Sequence, residues 1–347
     1  MKAAWALAIE SRRTDSRSGC GAGDGAGTGA GWWPHPAANA SSVASVAMGK
    51  PRAGIWSARP RRANLPAMSL TRANALRTIA ATLLATSGTL AACTGHRAAT
   101  PAPPLRILVY NIHAGTDAAQ APSLDRIAAV IRDAAADIVL LQEVDSVVQR
   151  TGGIDEVAVL DSLTGLHGVF GRSLDFQGGG YGIAVLSRWP IVADTVIRLP
   201  VFPPQERAGG SHEPRSALHV EIAAPDGRLH VINTHLDASR TDSARLQEIG
   251  EVLAAAAAVR ASGARVLLGG DLNSTPESET QHRVRDAGWQ DAWAVCHGTG
   301  DGFSYPDDSP RKRIDYLYLG PGERCRGAQV IETHASDHRP LLVLLDR

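Results

Sequence analysis

The sequence predicts an α/β domain built on two packed mixed sheets with helices outside, occupying residues 105–347. Three observations lead there. Short strand-like apolar runs recur through that stretch, with few helical segments between them, which favours packed sheets over one parallel layer. The run Asp137–Leu141 is almost continuously apolar, as in a strand buried on both faces. The stretch is also long enough for one large core, in a chain that is 44% hydrophobic.

In chain order, Leu105–Tyr110 reads as the first strand. Ser123 is placed to cap a helix whose apolar face is Ile127, Val130 and Ile131. After the strand Asp137–Leu141 comes a short helix over 155–164, stopped by Gly165. Strands follow at 182–187, 191–198, 216–223 and 229–234, the last two joined by a hairpin turn over Ala224–Arg228. A long helix covers 241–261 and ends near Gly263. Strand 265–269, helix 277–287 and strands 314–319 and 340–345 complete the pattern, with no internal repeat. Trp289 and Trp293 read as core, and the Gly-, Asp- and Arg-rich loop 297–313 as a cleft border.

The first hundred residues differ in kind. Residues 1–67 are low-complexity and sustain no period of 2 or 3.6. From Met68 a second pattern begins: Arg72 and Arg77, an apolar stretch Ile79–Leu90, then Leu90-Ala-Ala-Cys93. This is the layout of a signal peptide over 68–92, and its ending resembles a lipobox in which Cys93 is lipidated. An ordinary N-terminal helix is the alternative. Residues 93–104 then form a Pro-rich tether, Met68 is the expected start of translation, and the expected location is the cell envelope, anchored by lipid to a membrane. Cys296 and Cys325 either pair, as an oxidising compartment allows, or remain buried thiols.

The zero formal net charge conceals an asymmetry. Eleven of the 35 Lys and Arg, but three of the 35 Asp and Glu, fall in residues 1–92, so the remainder carries an excess of eight acids. General nucleic-acid binding needs a basic face and is not expected.

Chemistry-bearing residues cluster at strand ends. Asn111 follows the first strand, Glu143 the second, and His235 and Asp237 the strand ending in Val-Ile-Asn-Thr. Asp271 and Asn273 follow Val266–Gly270, Asp315 lies in Arg313-Ile-Asp-Tyr316, and Asp337 and His338 precede the last strand. Strand ends of one sheet converge in space. Oxygen ligands with imidazoles and no thiolate suit Mg²⁺ or Mn²⁺, one or two ions, and hydrolysis at phosphorus.

The motifs Tyr110-Asn-Ile-His113, Leu141-Gln-Glu-Val144, Tyr181–Arg188, Asn233-Thr-His-Leu-Asp237, Gly269–Ser274, Arg313–Tyr316 and Ser336-Asp-His-Arg-Pro340 span the body in one order. Together they resemble the endonuclease/exonuclease/phosphatase superfamily, and most of all its bacterial sphingomyelinase and GPI-lipid-remodelling hydrolases. The resemblance implies a four-layer α/β sandwich. It implies Glu143 as main metal ligand, with Asn111 and Asp337 close by. Asp271 then orients the attacking water, Asn273 and His235 hold phosphate oxygens, and His338 acts as general base or transition-state donor with Asp315 fixing its tautomer. His113 stands where abasic-site endonucleases carry Asp, which argues against a nuclease-like site. Around this set, His113 is expected to face the cleft. Tyr181 is a stacking residue or part of a glycine turn, Arg188 and Arg215 are phosphate ligands or surface ion pairs, and Asp237 is a site residue or a helix N-cap. The expected activity is that of an exported, membrane-tethered, Mg²⁺-dependent phosphoesterase acting on a lipid headgroup or another extracytoplasmic phosphoester. A secreted nuclease and a catalytically silent binding module are the alternatives, and the oligomeric state is open.

Overall fold

A computed structural model describes residues 102–205, 208, 210–296 and 300–347. The low-complexity segment 1–67, the signal peptide 68–92, Cys93 and most of the tether lie outside the described residues. Two six-stranded sheets pack face to face. The first contains β1 (Leu105–Asn111), β2 (Ile138–Ser146), β3 (His167–Phe176), β4 (Gly179–Ser187), β11 (Cys325–Val330) and β12 (Leu341–Leu345), ordered β11-β12-β1-β2-β4-β3. The second contains β5 (Ile191–Arg198), β6 (Ser216–Ala224), β7 (Gly227–His235), β8 (Arg265–Asp271), β9 (Gln290–Asp291) and β10 (Asp315–Leu319), ordered β5-β6-β7-β8-β10-β9.

Each sheet holds one parallel pair at its centre, β1–β2 and β7–β8, and is otherwise antiparallel. A helix makes each parallel crossover: α1 (Leu124–Asp133) and α3 (Ser243–Ala261). Parallel neighbours end at the same edge, so β1, β2, β7 and β8 all deliver their C-terminal residues to one end of the sandwich.

Alternation along the strands divides the apolar residues among three layers. Ile107, Val109, Leu140, Leu218, Val231 and Leu317 fill the space between the sheets. Leu108, Val139 and Leu141 face outward against Ile127 and Ile131 of α1 and Leu160 of α2 (Glu156–Thr164). Ile232 and Leu268 face Ile249 and Val252 of α3 and Val284 of α4 (Glu279–Asp286). Helix–sheet–sheet–helix is the four-layer sandwich the sequence predicts.

Several expectations are corrected in detail. Strands β3 and β11 were not predicted; both carry several polar residues and few fully buried ones, so no clean alternation marks them. The hairpin between β6 and β7 is tighter than Ala224–Arg228, because Ala224 pairs Gly227 across Pro225-Asp226. Ser123 occupies the N-cap position of α1, but its hydroxyl donates to the Ala335 carbonyl and caps nothing. Asp237 is no N-cap either, since α3 begins at Ser243 behind Asp242. Trp293 and Trp289 are buried core residues, as expected. Cys296, after the short helix α5 (Ala292–Val295), is joined by a disulfide to Cys325 at the start of β11, which resolves that alternative in favour of pairing. Among the described residues, no helix is long and apolar enough to cross a membrane.

Candidate active site

Asp271, the last residue of β8, is the hub of the convergent edge. It is buried, and its Oδ2 accepts from Asn111 Nδ2 at 3.0 Å. The same amide nitrogen donates to Glu143 Oε1, also at 3.0 Å, so the end of β1 ties a residue of each sheet together. Asp271 Oδ1 accepts the backbone N–H of Asn273 at 2.9 Å. His235 Nε2 and His338 Nε2 approach Asp271 Oδ2 to 3.6 and 3.8 Å from opposite elements.

Glu143 reaches this centre through a defect in the ladder. Gln142 pairs Ile183 and Val144 pairs Gly182, so Glu143 is an extra residue bulged out of β2 with a left-handed φ of 56°. Bulges re-aim a side chain, and such backbone strain concentrates at functional sites. Gly182, which pairs Val144 beside the bulge, must be glycine for a reason on its other side: a Cβ there would lie 2.1 Å from the carbonyl oxygen of Gly171 in β3, next to a second register shift between Arg172 and Leu174. Beside Asp271, Gly270 is equally constrained. Its φ is +136° and a Cβ there would lie 1.9 Å from the Thr234 carbonyl oxygen, so the parallel strands β7 and β8 meet closely there only because Gly270 lacks a side chain.

Beneath the centre a buried amide clasp joins the sheets. Asn233 Nδ2 donates to the carbonyls of Leu141 and Ala184 at 2.8 Å, and Gln142 Nε2 donates to Asn233 Oδ1 at 2.7 Å. Gln142 adjoins the bulged Glu143, and Asn233 stands two residues before His235.

The imidazoles are held in opposite states. His338 Nδ1 lies 2.9 Å from Asp315 Oδ2, which also accepts from Ser304 Oγ at 2.5 Å. Burial disfavours charge on His338, but the Asp315 carboxylate and hydrogen bond, backed by Asp271 and Asp337, push its pKa up to about 10. For His235, burial, then Arg215 and His338, hold the pKa well below the ordinary value, so the ring is neutral. Arg215 Nη1 stands 2.6 Å from His235 Nδ1, which must therefore accept, placing the ring proton on Nε2. Nε2–H then faces the Asn273 amide nitrogen at 3.0 Å. Both groups are then donors; one Asn273 N–H goes to the Leu236 carbonyl at 3.0 Å, and an acceptor oxygen in the cleft beside the pair can take the other together with Nε2–H. Asp271 is pushed up to about 7 by burial and then by Asp315, against the pull of His338 and its hydrogen bonds.

Glu143, Asp271, Asn273, His235, Asp337 and His338 line a cleft of about 680 Å³. Among the described residues, the second oxygen of Glu143 has no hydrogen-bond partner. Together with Asp337 across the cleft and the Asn111 amide, it forms an oxygen-rich set without sulfur, which fits a hard divalent cation such as Mg²⁺. Asp271, Asp315 and His338 also bring ligand-type atoms within 4.8 Å of one another. Asp315 Oδ2 and His338 Nδ1 are already committed to each other, however, so this trio orients an imidazole and the Glu143 side is the better cation seat.

The structure sorts the remaining candidates. His113 does not line the cleft but stands behind Asp337, which does, its Nδ1 3.7 Å from Asp337 Oδ1. Arg215 is not a surface pair: it is 2% exposed, bonded to Glu213 at 2.6 Å, lines the cleft and supports His235. Tyr181 does not stack on a ligand, because it is 2% exposed and the Arg150 guanidinium covers its ring at 5.1 Å. Arg188 is remote from the cleft, pairing with Asp137 at the opposite end of β2 at 2.7 Å. Asp237 is buried and accepts the backbone N–H groups of Ser239 and His212, which anchors the loops flanking His235. Sequence reasoning missed Tyr305 and Ser304. The Tyr305 ring packs on His338 with centroids 4.8 Å apart, and Tyr305 and Lys312 line the cleft. Their only signal was the composition of the loop 297–313, whose residues 297–299 lie outside the described ones.

A family model described as the endonuclease/exonuclease/phosphatase family matches residues 108–338, from within β1 to His338 itself. The chain belongs to that family. Its members generally hydrolyse phosphoesters and typically use divalent metals. Among curated relatives, the uncharacterized protein YbhP of Escherichia coli (strain K12) is 26% identical over 249 residues, spanning 68% of this chain and 94% of YbhP. An endonuclease/exonuclease/phosphatase of known structure from Beutenbergia cavernae is 26% identical, with a TM-score of 0.57 over 70% of this chain and 72% of that one. The fold is shared with the Bacteroides thetaiotaomicron mannosyl-6-phosphatase, 18% identical, at a TM-score of 0.57 over 70% of this chain and 99% of that one. Within the family, the sphingomyelinase-like and GPI-remodelling subtype has no support from these matches.

Proposed function

We propose that this protein is an exported, lipid-anchored, Mg²⁺-dependent phosphoesterase that cleaves a lipid headgroup or another extracytoplasmic phosphoester by water attack at phosphorus. The observation that carries the chemistry is the pair of converging donors, His235 Nε2–H and the Asn273 amide, facing each other beside a carboxylate hub. They suit a phosphoryl oxygen, whose charge grows in the transition state.

Asp271, with a pKa raised to about 7, is tuned to take a proton from an attacking water near neutral pH. His338, whose charged form Asp315 favours, serves as the donor to the developing charge, the one of its two expected roles that this environment supports. Arg215 fixes the His235 tautomer that makes that ring a donor. Asn111 holds Glu143 and Asp271 in register across the sheets. Glu143, with Asn111 and Asp337, would hold a divalent cation, which would supply Lewis acidity toward the phosphoryl oxygens. The Cys296–Cys325 disulfide supports an oxidising compartment, and with the Leu-Ala-Ala-Cys93 ending it supports export.

The test is a substrate panel on the purified protein with Mg²⁺ and with chelator: phosphatidyl and sphingomyelin liposomes, soluble phosphomonoesters and diesters, and plasmid DNA. Headgroup release that stops on chelation is expected. Plasmid nicking without lipid or small-ester turnover replaces the reading with a nuclease, and no turnover of any substrate leaves a silent binding module. Mass spectrometry of the mature N-terminus checks acylation of Cys93.

A further inference from the structure

A second cavity, of about 740 Å³, opens beside the cleft. Ala114, Pro122, Leu124, Ile154 and Val159 make its apolar wall, and polar and charged side chains, among them Asp125, Arg126, Arg150 and Glu156, line the rest. The two linings share no residue, but one turn connects them. It is the turn His113–Gly115, in which all three residues have left-handed φ of 49°, 52° and 62°. His113 touches Asp337 on the catalytic side, while Ala114, Gly115 and Thr116 face the second cavity. Gln120 reinforces the turn, its Nε2 3.2 Å from His113 Nε2, and lines the second cavity too.

Two features suggest that this cavity holds a ligand. Ile154 at its edge is 41% exposed and its neighbour Val147 54% exposed, two large apolar residues left to water on one short connection. Glu156 is 1% exposed, and while its Oε2 accepts the Asp145 backbone N–H at 2.8 Å, its Oε1 has no hydrogen-bond partner. An unpartnered buried carboxyl oxygen is costly unless something binds it. Burial above all raises the Glu156 pKa to about 8, so near neutral pH the group is a carboxylic acid able to donate. The cationic neighbours are already used: Arg150 is bonded to Asp145 at 2.8 and 2.9 Å, and Arg126 to Asp117 at 2.7 Å. An apolar wall beside polar groups, one of them an unpartnered buried carboxyl oxygen, suits an apolar ligand bearing a carbonyl or hydroxyl oxygen.

We infer that this cavity is a subsite for the apolar chain of an amphipathic phosphoester, whose phosphoryl end crosses the His113–Gly115 turn into the catalytic cleft while Glu156 meets an oxygen near the start of the chain. The inference rests on the phosphoesterase reading for the placement of the polar end, and on the cavity alone for the chain.

The experiment separates the two by using non-hydrolysable probes. Binding of decylphosphonate and methylphosphonate, each with Mg²⁺, is measured by calorimetry on the wild type, on Val159→Trp, which fills the cavity, and on Glu156→Gln. Decylphosphonate binding at least about 10-fold tighter than methylphosphonate in the wild type is expected, since each buried methylene adds about 0.8 kcal/mol. Val159→Trp is expected to erase that preference without changing methylphosphonate affinity or the melting temperature. Equal affinities in the wild type, or a preference that survives Val159→Trp in a folded protein, overturns the subsite. Chain preference in a protein that hydrolyses nothing keeps the subsite and sinks the catalytic reading, so the two failures remain distinct.

Discussion

Asn111 shows how much one side chain decides here. Its single amide nitrogen holds Glu143 and Asp271, which belong to different sheets, 3.0 Å away on each side. Asn111→Ala leaves two acidic groups facing each other without a shared donor, and a fall in kcat of roughly 10²-fold or more is expected. His338→Ala should cost at least as much, and unchanged turnover in either variant, read by steady-state kinetics on the best phosphoester, removes the proposed mechanism. Glu156 gives a prediction on stability. Its ordinary pKa is 4.5 and its folded value is raised to about 8, chiefly by burial and further by the nearby Asp145 carboxylate. An acid whose folded pKa is raised costs stability as pH climbs past the unfolded value, and the cost stops growing above the folded one. The wild type should therefore lose part of its stability between pH 5 and pH 8, and Glu156→Gln should flatten that slope. Melting curves taken across this window decide it; parallel slopes refute the assignment. Most of these residues were legible in the chain because each closes a strand motif. Tyr305, Ser304 and Arg215 as a support for His235 were not, because a loop residue's partners depend on where its loop is folded back.

Among the elements, β2 carries the most information, because its bulge at Glu143 converts a ladder position into a functional one. Gly182 pairs Val144 beside that bulge and is pressed from its other side by the Gly171 carbonyl of β3, so only glycine fits between the two irregular strands. Gly182→Ala is expected to destabilise the fold by about 2 kcal/mol or more and to weaken Mg²⁺ binding with it. Thermal melts with and without Mg²⁺ measure both, and a variant that keeps wild-type stability and Mg²⁺ response contradicts the account. At the other edge, the disulfide closes a loop of 29 residues between α5 and β11. Cys296→Ser should lower stability by about 3.5 kcal/mol on the chain-entropy model, checked by urea unfolding against the wild type under non-reducing conditions. Strand runs such as Asp137–Leu141 could be read directly, since burial on both faces leaves an unbroken apolar string. β3 and β11 could not, since each lies at a sheet edge and mixes polar with apolar residues, and neither could the bulge, which is defined only against its partner strand.

For the whole molecule, the two parallel pairs set the result. Each sheet contributes one pair, both end at the same edge, and the acidic, amide and imidazole groups meet there. If that edge seats a divalent cation, Mg²⁺ at about 100 times its Kd should stabilise the fold by about 2.7 kcal/mol, and Glu143→Gln should lose most of this shift. A melting temperature indifferent to Mg²⁺ and to chelator argues against a cation site at Glu143. The sequence by itself determined the α/β class, the order of the main strands and the identity of the central residues, because periodicity and strand-end motifs are local properties of a chain. Only the tertiary structure decided which of them share a centre and in which charge state. It showed that Arg188 lies at the far end and that Tyr181 is covered. It also placed Arg215 and burial against charge on His235, and the Asp315 carboxylate in favour of charge on His338. Distance across two sheets and the dielectric around a buried group are fixed by packing, and spacing along the chain does not encode them.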